Sequence, residues 1–129
     1  MVTEVKRKTI PKKVRLMVYD KCNGHCAYCG CDLEYKDMQV DHIIPLNGWK
    51  EQGTDTFDNM LPACRSCNHY KSRSTLETFR KMVEKMPDVL IRDSVTYKNA
   101  VRFGLVIPNK KPIIFYFEQL QKLAEHQGG

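Results

Sequence analysis

The sequence lacks any apolar run of the roughly 20 residues that a membrane-spanning helix requires, and its N-terminus has no apolar core of the secretory type. It also lacks internal repeats and low-complexity segments. These absences argue against a membrane protein, a secreted protein and a repeat array. We therefore expect a soluble, cytoplasmic protein without a membrane partner, and its 129 residues are most simply one small domain.

Acidic residues are the scarcer charged class, with 15 Asp and Glu against 21 Lys and Arg and a formal net charge of +6. Such a surplus favours polyanionic partners, nucleic acid above all, although many small basic proteins bind none. Residues 1–21 are interpreted as a basic N-terminal arm that is either solvated or in contact with phosphates. Pro11 argues against an early helix, so a short strand or helical turn is expected before the first cysteine. The basic residues of this arm are Lys6, Arg7, Lys8, Lys12, Lys13 and Arg15.

Six cysteines could form disulfides in a secreted chain, but two of their spacings indicate reduced metal ligands instead. These spacings are the C-x-x-C pairs Cys26 with Cys29 and Cys64 with Cys67. Each short loop lets both of its sulfurs face the same ion, so the four thiols are predicted to hold one structural, tetrahedral Zn²⁺.

The first pair stands among further residues of the same chemistry. Gly30 follows Cys29 as the turn residue of a zinc knuckle. Cys22 and Cys31 are then in excess of the four ligands that a single zinc requires. His25 is a conceivable substitute ligand, but it adjoins Cys26 and is more simply a surface histidine.

The segment between the cysteine pairs predicts a β-hairpin followed by a helix. A β-rich run over residues 38–46 is ended by Pro45 and a following Asn-Gly turn signal. Residues 59–61 are predicted as the return strand, with Pro62 ending it, and the second cysteine pair opens the helix. Asp41 and His42 lie on the first strand.

Four polar residues of this hairpin and helix have the chemistry for phosphodiester hydrolysis. His42 can accept a proton from water near neutral pH, and Asp41 and Asn68 offer the hard oxygen ligands that Mg²⁺ prefers. Asn59 could hold the imidazole by a hydrogen bond. Neighbours on a strand point to opposite faces, so a bulge or strong twist is needed for Asp41 and His42 to share one site.

Residues 26–71 resemble an HNH endonuclease of the zinc-stapled ββα-metal type. The resemblance rests on C-A-Y-C, D-H-I-I-P-L, D-N-M-L and C-R-S-C-N-H-Y-K, in family order, over about 46 of the 129 residues. It implies an H-N-N variant, also similar to the HNH domains of RNA-guided nucleases and some homing endonucleases. It implies His42 as general base, Asn59 as the residue that orients it, and Asp41 and Asn68 as ligands of a catalytic Mg²⁺ or Mn²⁺.

Two neighbours on the predicted helix bear on the same site. His69 could be taken for the signature histidine, but it is one residue late and would point about 100° away from Asn68. Lys71 lies three residues after Asn68, on the same helix face, and is predicted to bind a phosphate; a solvated lysine is the alternative.

The remaining chain predicts helices without a chemical motif. A helix after residues 74–77, which read as a capping box, presents a buried apolar stripe, and another is predicted over residues 93–103, ended by Gly104. A strand over residues 113–117 and a last helix to about His126 follow. The fold is therefore predicted as α+β, with the arm at 1–21, a nuclease core at 22–87 and an extension at 88–129 packed on that core.

The leading hypothesis is a metal-dependent endonuclease of phage or bacterial type that cleaves double-stranded DNA. The alternative is a non-catalytic zinc module of the same fold that binds nucleic acid or a protein partner. The presence of Asp41, His42, Asn59 and Asn68 favours the enzyme, because binding alone requires no base beside a hard-metal site.

Overall fold

The computed structural model describes residues 9–127 and shows a small α+β fold, which confirms the predicted fold class. Two strands, β1 (Gln39–His42) and β2 (Met60–Ala63), form an antiparallel sheet, and one-turn 3₁₀ helices precede each of them. Among residues 9–127, no helix combines the length and apolar character needed to cross a membrane. The helices are α1 (Lys12–Asp20), α2 (Arg65–Lys71), α3 (Leu76–Glu84), α4 (Met86–Asp93), α5 (Val95–Arg102) and α6 (Tyr116–Gln127).

The sheet and α2 form the predicted ββα arrangement, with strand ends that differ from the prediction. Pairing runs one to one from Gln39 opposite Ala63 to His42 opposite Met60, so the sheet contains no bulge. Pro62 lies inside β2 rather than ending it, which a two-stranded sheet tolerates because each strand has an unpaired edge. β1 ends at His42, four residues early, because the chain beyond it is held by the side chain of Asn59.

Helix α1 replaces the short strand or turn expected before the first cysteine. Pro11 precedes the helix as its N-cap instead of preventing it. Val18 of α1 is fully buried in a core with Leu33, Met38, Val40 and Met60. This part of the predicted arm therefore contributes to folding through apolar burial; the arm residues Lys6, Arg7 and Lys8 lie outside the described residues.

The chain forms two compact units that follow a different division from the predicted boundaries. One contains the described residues up to Leu76 together with those from Ile114 onward, and the other is Glu77–Ile113. The zinc motifs and the candidate catalytic residues all belong to the first unit. The predicted extension at 88–129 is thus shared between the two units.

The helices of the second unit follow their sequence signals. Phe79 of the predicted apolar stripe is buried in α3. The hydroxyl of Ser94 caps α5 by accepting a hydrogen bond from the backbone N–H of Tyr97 (3.1 Å). Gly104 follows α5 with φ +73°, the left-handed conformation expected of a residue that ends a helix.

The strand predicted over residues 113–117 is wrong, because α6 begins at Tyr116. The backbone N–H groups of Tyr116 and Phe117 donate to the carbonyls of Tyr28 (3.1 Å) and Ala27 (2.8 Å), so these first-turn donors are satisfied by a loop and not by a strand. Phe115, just before α6, is buried and meets the Tyr28 ring edge-on, with 5.2 Å between ring centroids. The C-terminal segment of the first unit is therefore anchored beside the first cysteine pair.

Candidate metal centre and active site

The four predicted zinc ligands converge. The Sγ atoms of Cys26, Cys29, Cys64 and Cys67 all lie within 4.8 Å of one another. Tetrahedral Zn²⁺ with Zn–S bonds of about 2.3 Å requires sulfurs about 3.8 Å apart, and the Cys29 to Cys64 separation is 3.9 Å. The cluster therefore fits a closed, four-thiolate zinc site. Cys22, which is buried, and Cys31, which is exposed, are not members of it.

Backbone donors support the thiolates at both knuckles. The N–H of Tyr28 donates to Cys26 Sγ and that of Cys67 donates to Cys64 Sγ, each at 3.4 Å. Cys64 is also the N-cap of α2, so its sulfur takes one of the unpaired donors at the helix start. A hydrogen bond between Cys26 and Cys67 lowers the pKa of Cys26 to about 4 and raises that of Cys67. One sulfur of the cluster is thus ionised readily before any metal is considered.

Gly30, in the first knuckle, has a backbone conformation that favours glycine. Gly30 has φ +79°, and a Cβ atom there would lie 3.2 Å from the ring of Tyr116 at the start of α6. The left-handed backbone conformation favours glycine, and a side chain would also crowd the ring of Tyr116. The turn-residue assignment made for Gly30 from sequence is confirmed by this backbone conformation.

Asp41 lies in a buried ionic network. Its carboxylate accepts a hydrogen bond from the Tyr28 hydroxyl and lies 3.3 Å from the ammonium of Lys71. Burial raises the pKa of Asp41, and the positive charge of Lys71 opposes that rise. Burial likewise lowers the pKa of Lys71, against the effect of Asp41.

The predicted phosphate contact of Lys71 is wrong. Its side chain is 0% exposed, and its Nζ also donates to the backbone carbonyl of His42 at 3.0 Å. The spacing in the sequence predicts that Lys71 lies on the same face of α2 as Asn68. It does not predict how deeply that face is buried. Lys71 instead ties α2 to both candidate catalytic residues of β1.

His42 is buried, and its imidazole is held by a carboxylate that the sequence did not reveal. Its Nε2 lies 2.9 Å from Oδ1 of Asp55, whose side chain is 26% exposed. Asp55 belongs to the polar segment between β1 and β2. The only available signal was an acidic residue in that segment, and a loop sequence does not tell which carboxylate folds back on the strand.

Asn59 is buried, and its side-chain amide bonds to the backbone that follows His42 instead of to the imidazole itself. Its amide oxygen accepts from the N–H of Ile44, and its amide nitrogen donates to the carbonyls of Ile44 and Thr54, each at 2.8 Å. Both amide protons are therefore used on backbone carbonyls. Asn59 therefore stabilises the segment between the strands. The side chain that contacts the imidazole of His42 is the carboxylate of Asp55.

Asp41, His42 and Asn68 line one cavity of about 370 Å³. Because His42 is the last residue of β1, it shares this cavity with its neighbour Asp41 without the bulge that the sequence suggested. Asn68 is half-buried on α2, and its amide donates to the side chain of Gln39 (3.4 Å). The exposed His69 borders the same cavity. A carboxylate and an amide oxygen facing one cavity are a suitable donor set for a hard divalent cation.

Comparison with known families agrees with this geometry. Residues 26–74 match the family model described as HNH endonuclease. This segment resembles an HNH endonuclease domain. The family resemblance inferred from the motifs is therefore confirmed, and the HNH domain comprises β1, β2, α2 and both knuckles.

Two curated relatives are similar to part of this chain, and both are described as CRISPR-associated endonuclease Cas9. The protein of Corynebacterium diphtheriae is 32% identical over 59 residues, which is 46% of this chain and 5% of that protein. The protein of Actinomyces naeslundii is 27% identical over 82 residues, which is 64% of this chain and 7% of that protein. The chain thus spans only a small part of these relatives.

A solved structure has the same fold over most of the chain. The crystal structure of the type II-C Cas9 enzyme from Actinomyces naeslundii superposes with a TM-score of 0.50 and 26% sequence identity, covering 60% of this chain and 9% of that one. Similarity to Cas9 enzymes therefore extends from sequence to three-dimensional structure.

Proposed function

We propose that this protein is a metal-dependent endonuclease that hydrolyses phosphodiester bonds in double-stranded DNA inside the cell. The observation that carries the proposal is the shared cavity of Asp41, His42 and Asn68 on an HNH framework, with the imidazole of His42 held by Asp55. The endonuclease descriptions of the relatives support the same class of reaction.

His42 is the proposed general base. A neutral imidazole whose Nε2 donates to a carboxylate carries its proton on that nitrogen, so Nδ1 is the basic atom. Nδ1 would take the proton of the attacking water. Asp55 would fix the ring and stabilise the imidazolium that forms.

Asp41 and Asn68 are the proposed ligands of a catalytic Mg²⁺ or Mn²⁺. The bound ion would stabilise the charge that develops on the phosphate and on the leaving oxygen. Lys71 would keep the Asp41 carboxylate ionised in its buried position, and Tyr28 would fix the orientation of that carboxylate. The separate four-cysteine cluster would hold a structural Zn²⁺.

A plasmid assay separates this function from the non-catalytic zinc module. The protein is incubated with supercoiled plasmid and Mg²⁺, Mn²⁺ or EDTA, and relaxed and linear products are quantified. The proposal predicts metal-dependent products that fall roughly 10²- to 10⁴-fold with His42→Ala, the range for loss of a general base. The matched control is His69→Ala, an exposed histidine beside the same cavity. No cleavage with any metal, from protein that is folded and contains zinc, would favour the binding module.

A further inference from the structure

The sole tryptophan of the chain, Trp49, is 67% exposed beside the candidate active site. It lies in the segment that connects β1 to β2. Single exposed apolar residues are common on protein surfaces and by themselves indicate nothing. The close packing of the loop that carries Trp49 and the chemistry of its neighbours distinguish this residue from them.

The loop that carries Trp49 is closely packed against itself. A Cβ atom on Gly48 would lie 2.2 Å from the carbonyl oxygen of Glu51, and one on Gly53 would lie 1.8 Å from that of Ile44. The Gly53 N–H donates to the Pro45 carbonyl at 2.8 Å. These contacts restrict the backbone that carries the indole, which lowers the conformational entropy lost when a ligand binds it.

The indole stands next to the catalytic cavity and among cations. The backbone N–H of Trp49 donates to the Arg73 carbonyl at 3.2 Å, which joins the loop to the chain after α2. A second cavity is lined by Trp49, Lys50 and Arg73, with Glu51 as its one carboxylate. Arg73 also lines the cavity that contains His42. A flat apolar ring with two cationic neighbours suits a nucleotide better than an apolar protein surface.

We propose that Trp49 is a stacking platform for an unpaired nucleobase next to the phosphate that the HNH domain attacks. This inference rests on the proposed function for the position of that phosphate. Base stacking on aromatic side chains tolerates any base and is worth about 1–3 kcal/mol per base. The contact would hold the strand in register with the cavity without reading its sequence.

Tryptophan fluorescence tests the contact at one residue, because the chain has no other indole. The His42→Ala protein, which we expect to bind without cutting, is titrated with a single-stranded oligonucleotide, with the same strand carrying abasic sites, and with a duplex. Saturable quenching by the single strand is expected, with little from the abasic strand at equal charge. Quenching by the duplex as well would show that the protein unstacks a base, and quenching by the abasic strand equal to that by the intact strand would overturn the proposal.

A matched variant moves the indole elsewhere. Trp49→Phe combined with Phe103→Trp places the sole tryptophan at another exposed aromatic position, in the second unit, where Phe103 is 80% exposed. Its fluorescence should not respond to the single strand. An equal response from this variant would mean that the signal reports general association, and the proposal would fail.

Affinity provides the second measurement. Trp49→Ala should weaken binding of the intact single strand by roughly 5- to 150-fold, the equivalent of one lost stack, and should leave binding of the abasic strand unchanged. Trp49→Phe should restore most of the loss. Equal weakening for both strands would show that Trp49 is not a base contact. Normal plasmid cleavage with no quenching would refute this inference alone, whereas quenching without any cleavage by the parent would refute the proposed function alone.

Discussion

The candidate base His42 is held by Asp55, and its neighbour Asp41 is held by Lys71 and Tyr28. Asp41, His42 and Asn68 follow from their motif, and the structure brings them to one cavity. The role of Lys71 was mispredicted because it depends on burial. Asp55 was missed because it contacts His42 only when the loop folds back on the strand. A motif identifies which chemistry is present, but the partners that tune it come from tertiary packing.

Loss of the Lys71 charge should destabilise the protein strongly. Lys71→Met keeps the length of the side chain but leaves the buried Asp41 carboxylate without its ammonium partner. Breaking a buried ion pair from one side costs about 3–5 kcal/mol. Urea unfolding without added Mg²⁺ measures this loss.

The matched control is the double variant Lys71→Met with Asp41→Asn, in which no uncompensated charge remains. It should recover most of the lost stability, because replacing both partners of a buried pair is often close to neutral. A double variant as unstable as Lys71→Met would show that packing, and not charge, accounts for the effect.

Asp55 should matter for turnover and little for folding. Asp55→Ala removes the carboxylate on His42 Nε2, and loss of a residue that orients a reacting group costs roughly 10- to 100-fold in activity. Asp55→Asn retains an oxygen acceptor without the charge and should lose less. Single-turnover plasmid cleavage measures both, with Asp58→Asn as the control for an exposed carboxylate of the same segment. Equal rates for Asp55→Ala and the parent would remove Asp55 from the mechanism.

At the scale of elements, local signals predicted helices well and strand ends poorly. Ser94 and Gly104 mark the start and end of α5 as their residue types suggest. The strand predicted over residues 113–117 failed because Phe115 and Phe117 pack against Tyr28 where helix α6 begins. An apolar run predicts that its residues are buried, but it does not predict which part of the protein they pack against.

The connection between β1 and β2 should be sensitive to a single methyl group. Gly53→Ala would place its Cβ 1.8 Å from the Ile44 carbonyl oxygen and 2.8 Å from the Asn59 amide nitrogen. Forcing such a contact apart costs about 1–3 kcal/mol and should also reduce cleavage, because Thr54 next to it is held by Asn59. Thermal unfolding and plasmid cleavage measure the two effects.

Gly104→Ala is the control, since Gly104 has φ +73° but no atom within 4 Å of the added carbon. It should cost about 1–2 kcal/mol from backbone conformation and leave cleavage unchanged. Full activity and stability in Gly53→Ala would show that the loop adapts freely.

For the molecule as a whole, zinc should hold the first unit together. Cys64→Ser removes one of four thiolates but keeps a side chain that can cap α2, so its effect reports the metal, and closed structural sites contribute folding energy directly. We expect loss of bound zinc and of cooperative unfolding, measured by elemental analysis and circular dichroism. Cys31→Ser, an exposed cysteine outside the cluster, should keep both. Zinc-free Cys64→Ser protein with the parental unfolding transition would contradict a structural role.

The overall organisation was the least predictable level. The two C-x-x-C pairs and the hairpin between them predicted the centre of the first unit, since zinc geometry links residues far apart in sequence. Nothing in the sequence of residues 114–127 carries a comparable constraint. Their return to the first knuckle depends on the shape of an aromatic cluster, which spacing does not encode.

That aromatic cluster also sets an order of events during protein synthesis. Tyr28 donates to the Asp41 carboxylate and packs against Phe115, which the ribosome adds 87 residues later. At about 5–20 residues per second, this interval lasts roughly 4–17 s. The surroundings of Asp41 are therefore completed only after Phe115 has been translated, several seconds after Tyr28 has been added.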